Sequence, residues 1–242
     1  MVRPLTRIKF MEKQEKLLKP AQFTEQKLIT AIVNGDWKAG DKLPPERELA
    51  DILGVTRPTL REVLQRLSRD GWITIKHGRP TIVNDYKNNG GLGVLKSLIN
   101  YEGLTSATLI HDWLEFRVLV MPTLAIKAIK SNANEILIML NNAPEISVDS
   151  RLFSIYDWDL QMLLIKMSNN SIAIMLYNDL TEIYHKKGAM FFADKQIKSK
   201  SIDYYMKLKE AIENNNKDIV SIIEQTMQNS LEIWERVNHY NT

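Results

Sequence analysis

The chain has 242 residues and a formal net charge of +3, and its 44% hydrophobic and 25% charged residues are ordinary for a globular protein. It contains no cysteine, which excludes disulfides, thiolate chemistry and metal sites built from cysteine. No apolar run is long enough to span a bilayer and the N-terminus has charged residues where a signal peptide needs apolar ones, so we expect a cytoplasmic protein.

Positive charge is concentrated toward the N-terminus. The first 90 residues carry an excess of lysine and arginine, whereas the remainder carries a slight excess of acidic residues. A basic segment joined to a mildly acidic one suggests that any polyanionic partner meets the N-terminal part. Residues 1–20, which are polar and basic, are interpreted as an N-terminal arm.

Residues 21–86 carry the signals of a small domain that begins with two helices. Apolar residues recur at helical spacing from Gln22 to Asn34. A second, shorter helix is predicted from Glu46 to Leu53, after a proline pair at 44–45 that suits a helix entry because proline in a first turn loses no hydrogen bond. A tight break follows this helix.

The domain continues with a third helix and a hairpin. Thr56 is placed to cap a helix over residues 57–69. Residues 72–76 and 81–84 then read as two short strands joined by a turn at 77–80. Helix, helix, tight turn, helix and hairpin is the order of a winged helix-turn-helix.

Beyond the hairpin the sequence indicates helices alone. Residues 87–91, rich in asparagine and glycine, are interpreted as a linker. Residues 92–242 show apolar residues at three- and four-residue spacing in six or seven stretches, without further strand signals. The predicted fold is therefore mainly α, with an N-terminal winged helix-turn-helix containing a small β-hairpin and a C-terminal all-α bundle.

The third helix carries the residue types that read DNA in a major groove. Arg57 and Arg61 are four residues apart and share one face, with Thr56 and Thr59 beside them. Arginine can bind guanine with two hydrogen bonds, and threonine can contact phosphate or base. The start of a helix also offers backbone N–H groups to a phosphate.

Two further places extend this basic surface. Arg47, at the start of the preceding helix, can reach the same groove or its backbone. In the predicted turn of the hairpin, His77 and Arg79 flank Gly78, which allows the backbone to approach a duplex closely. The alternative is that these arginines form a solvated face in another kind of domain, but element order, turn chemistry and basic placement together favour DNA binding.

The sequence resembles a known family at these positions. Residues 43–50 (LPPERELA) and 54–64 (GVTRPTLREVL) are similar to the winged helix-turn-helix of the GntR family. Residues 61–67 (REVLQRL), 69–72 (RDGW) and 77–81 (HGRPT) resemble its fatty-acid-responsive members in particular. The helical part resembles their ligand-binding domain more loosely, through residues 168–170 and 232–234. The resemblance implies a homodimer on a palindromic DNA operator that represses fatty-acid degradation genes and activates synthesis genes. It also implies that long-chain acyl-CoA, bound in the helical effector and dimerisation domain, releases the DNA.

The resemblance also assigns individual residues. The DNA contacts it implies are Arg47, Thr56, Arg57, Thr59, Arg61, His77, Gly78 and Arg79. The acyl-CoA contacts it implies are Tyr184, Phe191, Met227, Ser230 and Trp234. Two positions in the DNA-binding part depart from the fatty-acid-responsive pattern, because Pro58 replaces a threonine and Arg79 a lysine. Met227 stands where that pattern has a small glycine near the thioester, which implies a reshaped cavity. The alternative for the three aromatic residues is simple core packing.

The sequence offers little support for a metal site or an enzyme. Many relatives hold a metal through an aspartate and three histidines, but Gln161 and Met206 stand where two histidine ligands are expected, so no metal is predicted. Asp157 and Asp159 are two residues apart and point to different faces of a helix, which argues against a paired acid–base site. We therefore predict neither an enzyme nor a cofactor. A GntR regulator that answers a different metabolite, such as a small carboxylic acid, remains the alternative.

Overall fold

The structure, a computed structural model, describes residues 20–101, 103–216 and 218–239, with the side chains of 186 and 237–239 left aside. The predicted basic arm lies outside the described residues except for Pro20. The chain divides into two compact units, with the boundary after Leu104. None of the described helices is long and apolar enough to cross a membrane.

The first unit begins with three helices: α1 (Pro20–Val33), α2 (Glu46–Leu53) and α3 (Arg57–Asp70). Helix α2 ends at Gly54, whose φ of 70° is left-handed and whose N–H returns to the last turn of the helix. Helix α3 begins at Thr56, where the side chain accepts a hydrogen bond from the backbone N–H of Thr59. These two local signals produce the tight turn between α2 and α3 that the sequence predicts.

A two-stranded antiparallel hairpin follows α3. Strand β1 (Ile73–Thr74) pairs with β2 (Ile82–Val83), and Ile73 lies opposite Val83. Lys42 adds an isolated bridge to Ile82 from the segment before α2. Both strands are shorter than the predicted 72–76 and 81–84. The carbonyl of Thr81, just outside the paired residues, instead accepts a hydrogen bond from the N–H of Leu43 in the segment before α2.

Two short helices, α4 (Tyr86–Asn89) and α5 (Leu92–Asn100), complete the first unit. Val94 of α5 is 4% exposed and belongs to the same core cluster as α1 and α3. A Cβ added to Gly93 would lie 2.9 Å from the Cβ of Asp70, so α5 passes close to the end of α3. The first unit thus includes α5, which the sequence analysis grouped with the bundle. The fully buried side chains of this core include Leu28, Ile29, Leu49, Leu60, Leu67, Trp72 and Ile73.

The second unit is helical throughout its described part. Its helices are α6 (Ala107–Asn141), α7 (Ser150–Met167), α8 (Ser171–Phe191), α9 (Lys195–Glu213) and α10 (Ile219–His239). Helix α6 is kinked at Asn132, whose φ of −143° and ψ of 39° are not helical. Helices α7 and α10 pack against α6, and α8 packs against α7. The predicted fold class, a winged helix-turn-helix followed by an all-α bundle, is confirmed.

Candidate nucleic-acid interface and buried polar centre

Helix α3 presents two arginines to solvent. Its other face buries Leu60, Val63 and Leu67 in the core of the first unit. Arg57 and Arg61 are exposed, in the first and second turns after the cap. The two guanidinium groups therefore stand at the exposed N-terminal end of the helix.

Arg61 is not free of partners. Its Nε lies 2.7 Å from Oε2 of Glu46, the first residue of α2, and the two side chains are 62% and 39% exposed. Sequence reasoning missed this pair because its members are 15 residues apart. Any anionic ligand of this guanidinium must therefore compete with a carboxylate.

The neighbouring predicted contacts lie at the same end of the motif. The Thr56 and Thr59 hydroxyl groups are 2.9 Å apart, and the Thr59 N–H donates to Thr56 Oγ1 over 3.4 Å. The Thr56 and Thr59 side chains therefore stabilise the N-terminal cap of α3. Arg47 is exposed in the first turn of α2.

The hairpin turn forms the second part of the exposed basic surface. His77, Gly78 and Arg79 are all exposed. The Arg79 N–H donates to the Lys76 carbonyl over 3.1 Å, and Gly78 inside this turn has a φ of 67°. Glycine adopts this conformation without the steric cost that a Cβ would bring. A groove lined in part by Arg61 and Thr81 runs between α3 and the hairpin.

Hydrogen bonds and ion pairs that involve Glu25 connect α3 to other parts of the first unit. The Tyr101 hydroxyl donates to Glu25 Oε1 over 2.8 Å, and Arg66 of α3 lies 3.5 Å from the other oxygen of Glu25. Arg66 also pairs with Glu62. Burial, together with the hydrogen bond to Glu25, raises the pKa of Tyr101 well above its ordinary value. Helix α3 is thus tied to α1 and to the segment that follows α5.

In the second unit, a charged side chain lies deep in the helical bundle. Arg117 of α6 is 4% exposed. Its Nη2 donates to the thioether sulfur of Met227 on α10 over 3.2 Å, and its buried Nε has no hydrogen-bond partner among the described residues. Burial lowers the pKa of Arg117, but Tyr184, Tyr177 and Asp157 raise it by more, so the net shift is upward and the group stays charged.

A buried carboxylate lies in the same part of the bundle. Asp157 of α7 accepts hydrogen bonds from Gln161 (2.6 Å), Tyr184 (3.1 Å) and Tyr205 (2.7 Å). Burial raises the pKa of Tyr205 well above its ordinary value, and Asp157 adds to the shift. The Tyr184 ring centroid is 5.7 Å from the carbon of the Arg117 guanidinium. One tyrosine therefore connects the cation with the anion.

Aromatic rings join these polar groups into one cluster. Trp113 packs on Tyr177 with centroids 4.9 Å apart, Tyr177 on Trp158 at 5.9 Å, and Trp158 on Tyr184 at 4.3 Å. Three further buried atoms in this cluster, namely Trp113 Nε1, Tyr177 Oη and Gln161 Oε1, have no hydrogen-bond partner in the described part of the chain. We call the following residues the buried polar centre: Trp113, Arg117, Asp157, Trp158, Gln161, Tyr177 and Tyr184.

The residues that the resemblance assigned to acyl-CoA are only partly brought together. Tyr184 and Met227 both contact Arg117. Ser230 lies nearly one turn beyond Met227 on α10 and donates to the Thr226 carbonyl over 3.0 Å. Trp234 is two turns away and donates to the carbonyl of Ala107.

Phe191 lies at the end of a row of aromatic rings that leads to the buried polar centre. It stands at the end of α8, seven residues beyond Tyr184, and its ring is 5.2 Å from that of Phe192. Phe192 in turn packs on Phe153. Phe153 also lies 6.2 Å from Tyr205, which donates to Asp157, so Phe192 and Phe153 lie between Phe191 and Tyr205.

Sequence reasoning missed Arg117 and Asp157 as members of a site. A signal for Arg117 existed, because Ile110, Trp113, Arg117 and Met121 form one buried stripe at three- and four-residue spacing. A charged residue in an apolar stripe points to a buried polar contact. The predicted divergence of the two carboxylates is seen, since Asp157 is buried and Asp159 is exposed.

The two positions where histidine ligands of a metal were expected, Gln161 and Met206, lie in different environments. Gln161 donates to Asp157 and Tyr184, and Met206 is 57% exposed. Elsewhere, His111, Asp112 and Glu115 bring ligand atoms within 4.8 Å of one another near the start of α6. The His111 Nε2 is also 3.0 Å from Glu235 of α10, so this group already has a structural contact.

Comparison with known proteins gives matches along nearly the whole described chain. The family model described as bacterial regulatory proteins, gntR family, matches residues 20–83, and the FadR C-terminal domain model matches residues 84–240. A fatty acid metabolism regulator protein of Shewanella halifaxensis is 33% identical over 219 residues, which are 89% of this chain and 91% of the relative. The protein of the same name in Klebsiella pneumoniae is 33% identical, covering 90% and 92%.

A solved structure shares the fold. It is that of Lar, described as controlling expression of the Listeria monocytogenes agr system, with a TM-score of 0.61 over 92% of this chain and 99% of that one. The two sequences are 15% identical. At this identity the match supports the architecture of the chain and nothing more specific.

Proposed function

Because the chain belongs to the GntR family of bacterial regulatory proteins and carries a FadR C-terminal domain, we propose that it controls transcription of fatty-acid metabolism genes. In this proposal it represses degradation genes, activates synthesis genes and leaves its operator when long-chain acyl-CoA binds. A protein with this role works at the bacterial chromosome, and we place it in the cytoplasm.

The exposed basic end of α3 carries the DNA-binding part of the proposal. Arg57 and Arg61 point away from the core at a capped helix start, where side chains on the first turns reach base edges in a major groove. The exposed turn with Gly78 and Arg79 supplies a second contact beside the helix. Arg57 then reads bases, and Arg79 contacts the phosphate backbone or the minor groove.

The proposal includes a homodimer on a palindromic operator. One helix-turn-helix reads only a few base pairs, and two copies related by a twofold axis read two half-sites about one helical turn apart. Exposed apolar side chains of the second unit, among them Leu119 at 72% and Ile172 at 75%, are candidates for burial against a second copy. We therefore propose a twofold dimer as the DNA-binding species.

The second unit supplies the effector site in this proposal. The match to a FadR C-terminal domain supports a ligand that enters between helices, and so do the buried polar groups that have no partner among the described residues. Release of DNA requires that acyl-CoA binds better to a form of the dimer whose α3 helices do not match the half-sites. By linkage, operator DNA then weakens acyl-CoA binding by the same factor.

The DNA-binding part is tested with an operator selected from random duplexes by the full-length protein. Fluorescence anisotropy then compares wild type with Arg57→Ala, and with Arg69→Ala at the far end of the same helix as a control. We expect Arg57→Ala to cost about 1–3 kcal/mol of specific binding and to relax sequence preference, while Arg69→Ala changes little. Equal affinity of wild type and Arg57→Ala would contradict the proposal.

The effector part is tested by titrating oleoyl-CoA into the protein–operator complex. We expect a progressive loss of DNA binding, and calorimetry on the free protein is expected to give a matching affinity. Tight binding of oleoyl-CoA without any change in DNA affinity would contradict the release mechanism. Binding of a small carboxylate in its place would favour a regulator that answers another metabolite.

A further inference from the structure

The hairpin that carries the exposed turn at 77–79 has a short base. Its ladder consists of two residue pairs, Ile73 with Val83 and Thr74 with Ile82, and an isolated two-stranded hairpin is only marginally stable in water. The tip of the turn lies about four residues beyond Thr74, which is roughly 13 Å of extended chain. A rotation of about 10° at the base would therefore move the tip by roughly 2 Å, enough to break a hydrogen bond there.

Packing alone does not fix the angle of the hairpin. Ile73 and Val83 are buried in the core of the first unit, but apolar packing is not directional. Nearer the turn, Ile75 and Thr81 line a groove against α3 in place of a packed contact. The Leu43 N–H donates to the Thr81 carbonyl and holds the outer edge of β2, but this bond does not involve α3. The angle to α3 therefore depends on directional hydrogen bonds at the base.

Asn84, which directly follows β2, makes such bonds. Its Nδ2 donates to the carbonyl of Gly71, the residue at which α3 ends, over 3.0 Å. Its Oδ1 accepts a hydrogen bond from the Thr74 hydroxyl over 2.7 Å. Its backbone N–H donates to the Trp72 carbonyl over 2.9 Å. One residue thus joins the end of α3 to β1 and to the end of β2.

The amide of Asn84 suits both of its side-chain partners. The Gly71 carbonyl can only accept a hydrogen bond, whereas the Thr74 hydroxyl has a proton to donate. Asparagine offers an NH2 group and a carbonyl oxygen side by side, while an aspartate would bring a second acceptor to the Gly71 carbonyl. Both bonds are partly buried, so water does not fully replace a lost partner.

We propose that Asn84 is a positioning residue for DNA binding, which fixes the angle between α3 and the hairpin so that the turn at 77–79 meets the duplex while α3 lies in the major groove. The inference rests on the proposed function, because it takes both α3 and the turn to contact DNA. Asn84 itself does not touch the duplex. It acts through the side chains of the turn, His77 and Arg79.

The test is a double-mutant cycle on operator binding by the full-length protein. Asn84→Ala is made in three backgrounds: wild type, Arg57→Ala, and a turn variant that combines His77→Ala with Arg79→Ala. Asn88→Ala is the matched control, because it removes the same amide from a bond to Asp85 within α4. Fluorescence anisotropy with a selected operator gives the affinity of each protein.

The cycle separates a positioning role from general destabilisation. We expect Asn84→Ala to lower operator affinity about three- to tenfold in wild type and by the same factor in Arg57→Ala. In the turn variant the loss should be less than about twofold, because the side chains that Asn84 positions are already absent. Asn88→Ala should bind the operator as wild type does. A purely structural role would give the same loss in every background.

Hydroxyl-radical footprinting gives an independent readout of the same idea. Protection of the sugars beside the turn is expected to weaken in Asn84→Ala, while protection of the sugars around α3 stays as in wild type. Both proteins are compared at saturating concentration, so a lower affinity alone does not change the pattern. Urea unfolding establishes that each variant is folded under the conditions of the assay.

A second variant keeps the test decisive if Asn84→Ala does not fold. Thr74→Val removes the hydroxyl that donates to Asn84 Oδ1, nearly preserves the shape of the side chain and suits a strand. One hydrogen bond is lost and the bond to Gly71 stays. We therefore expect the same pattern across the three backgrounds with a smaller loss, about two- to fourfold in wild type.

The possible failures are distinguishable. Equal operator affinity of wild type and Asn84→Ala, or a loss that Asn88→Ala matches, overturns the inference. An equal loss in all three backgrounds does the same, because Asn84 would then act on the domain as a whole. A turn variant that binds as tightly as wild type overturns the inference but leaves DNA binding by α3 standing. If wild type selects no operator, the DNA-binding proposal is overturned together with this inference.

Discussion

Arg61 of α3 and Glu46 of α2 form an ion pair across the helix-turn-helix, with Nε 2.7 Å from Oε2. Both side chains are substantially exposed, so the pair contributes less than about 1 kcal/mol to stability. A phosphate or guanine that binds Arg61 would have to compete with this carboxylate, and we therefore expect Glu46 to lower the affinity of the basic surface for DNA.

Replacement of Glu46 by glutamine is expected to raise DNA affinity severalfold. The change removes the competing charge and nearly keeps the size of the side chain. Anisotropy with operator and unrelated duplexes, at several salt concentrations, measures the gain. Glu48→Gln changes the net charge equally on the same helix and serves as the control. If both variants gain equally, the effect is one of overall charge and the specific competition is contradicted.

Gly78→Ala is expected to weaken operator binding without unfolding the domain. Gly78 has a φ of 67°, and an added Cβ would meet no atom within 4 Å. The strain therefore comes from the backbone, at roughly 1–2 kcal/mol, and the turn relieves it by changing shape. Gly91→Ala is the control, because Gly91 has a φ of −108° and equally open surroundings. Operator affinity unchanged in Gly78→Ala, with normal unfolding, would show that the turn does not contact DNA.

Local signals made the DNA-binding unit predictable. The cap at Thr56, the glycine ends of α2 and α3 and the change to strand periodicity each act within a few residues, and all three are seen in the structure. The helices of the second unit were predictable for the same reason, since apolar spacing reports on one helix at a time.

Contacts between distant elements could not be predicted in this way. The Arg117–Met227 contact spans 110 residues and the Tyr205–Asp157 bond 48, so no spacing rule connects them. For the same reason, the sequence did not predict that α5 belongs to the first unit, since this depends on contacts between distant elements. Its apolar stripe requires a partner surface but does not identify which one, and Val94 packs into the core beside α3.

Gly188→Ala is expected to destabilise the second unit by about 1–3 kcal/mol, the usual cost of overpacking. Gly188 lies on α8 where it passes α7, and a Cβ there would lie 2.0 Å from the Oγ and 3.1 Å from the Cβ of Ser154. Urea unfolding of the full chain measures the loss. The double variant Gly188→Ala with Ser154→Ala removes the closer clash and is expected to recover part of the stability. Additive losses in the double variant would show that the two helices do not approach as closely as described.

A link between α6 and α10 is expected to make stability depend on pH. The His111 Nε2 lies 3.0 Å from Glu235 Oε1. The hydrogen bond to Glu235 raises the pKa of His111, burial opposes this slightly, and Asp112 adds to the rise. Because the pKa is higher in the folded than in the unfolded state, protonation of His111 favours folding. This contribution is complete below the unfolded pKa of about 6.5 and disappears as pH rises through the folded pKa.

The measurement compares wild type and His111→Gln by urea unfolding between about pH 5 and pH 9, a range in which unperturbed carboxylates stay ionised. Wild type is expected to gain stability relative to His111→Gln as pH falls, by less than about 1 kcal/mol because the pair is partly exposed. His185→Gln, at an exposed histidine of α8, controls for the loss of a titrating ring. A difference between wild type and His111→Gln that stays constant over the whole range would mean that His111 gains nothing from Glu235 on protonation. In that case the contact between the start of α6 and the end of α10 would rest on packing and on the Trp234 bond to Ala107.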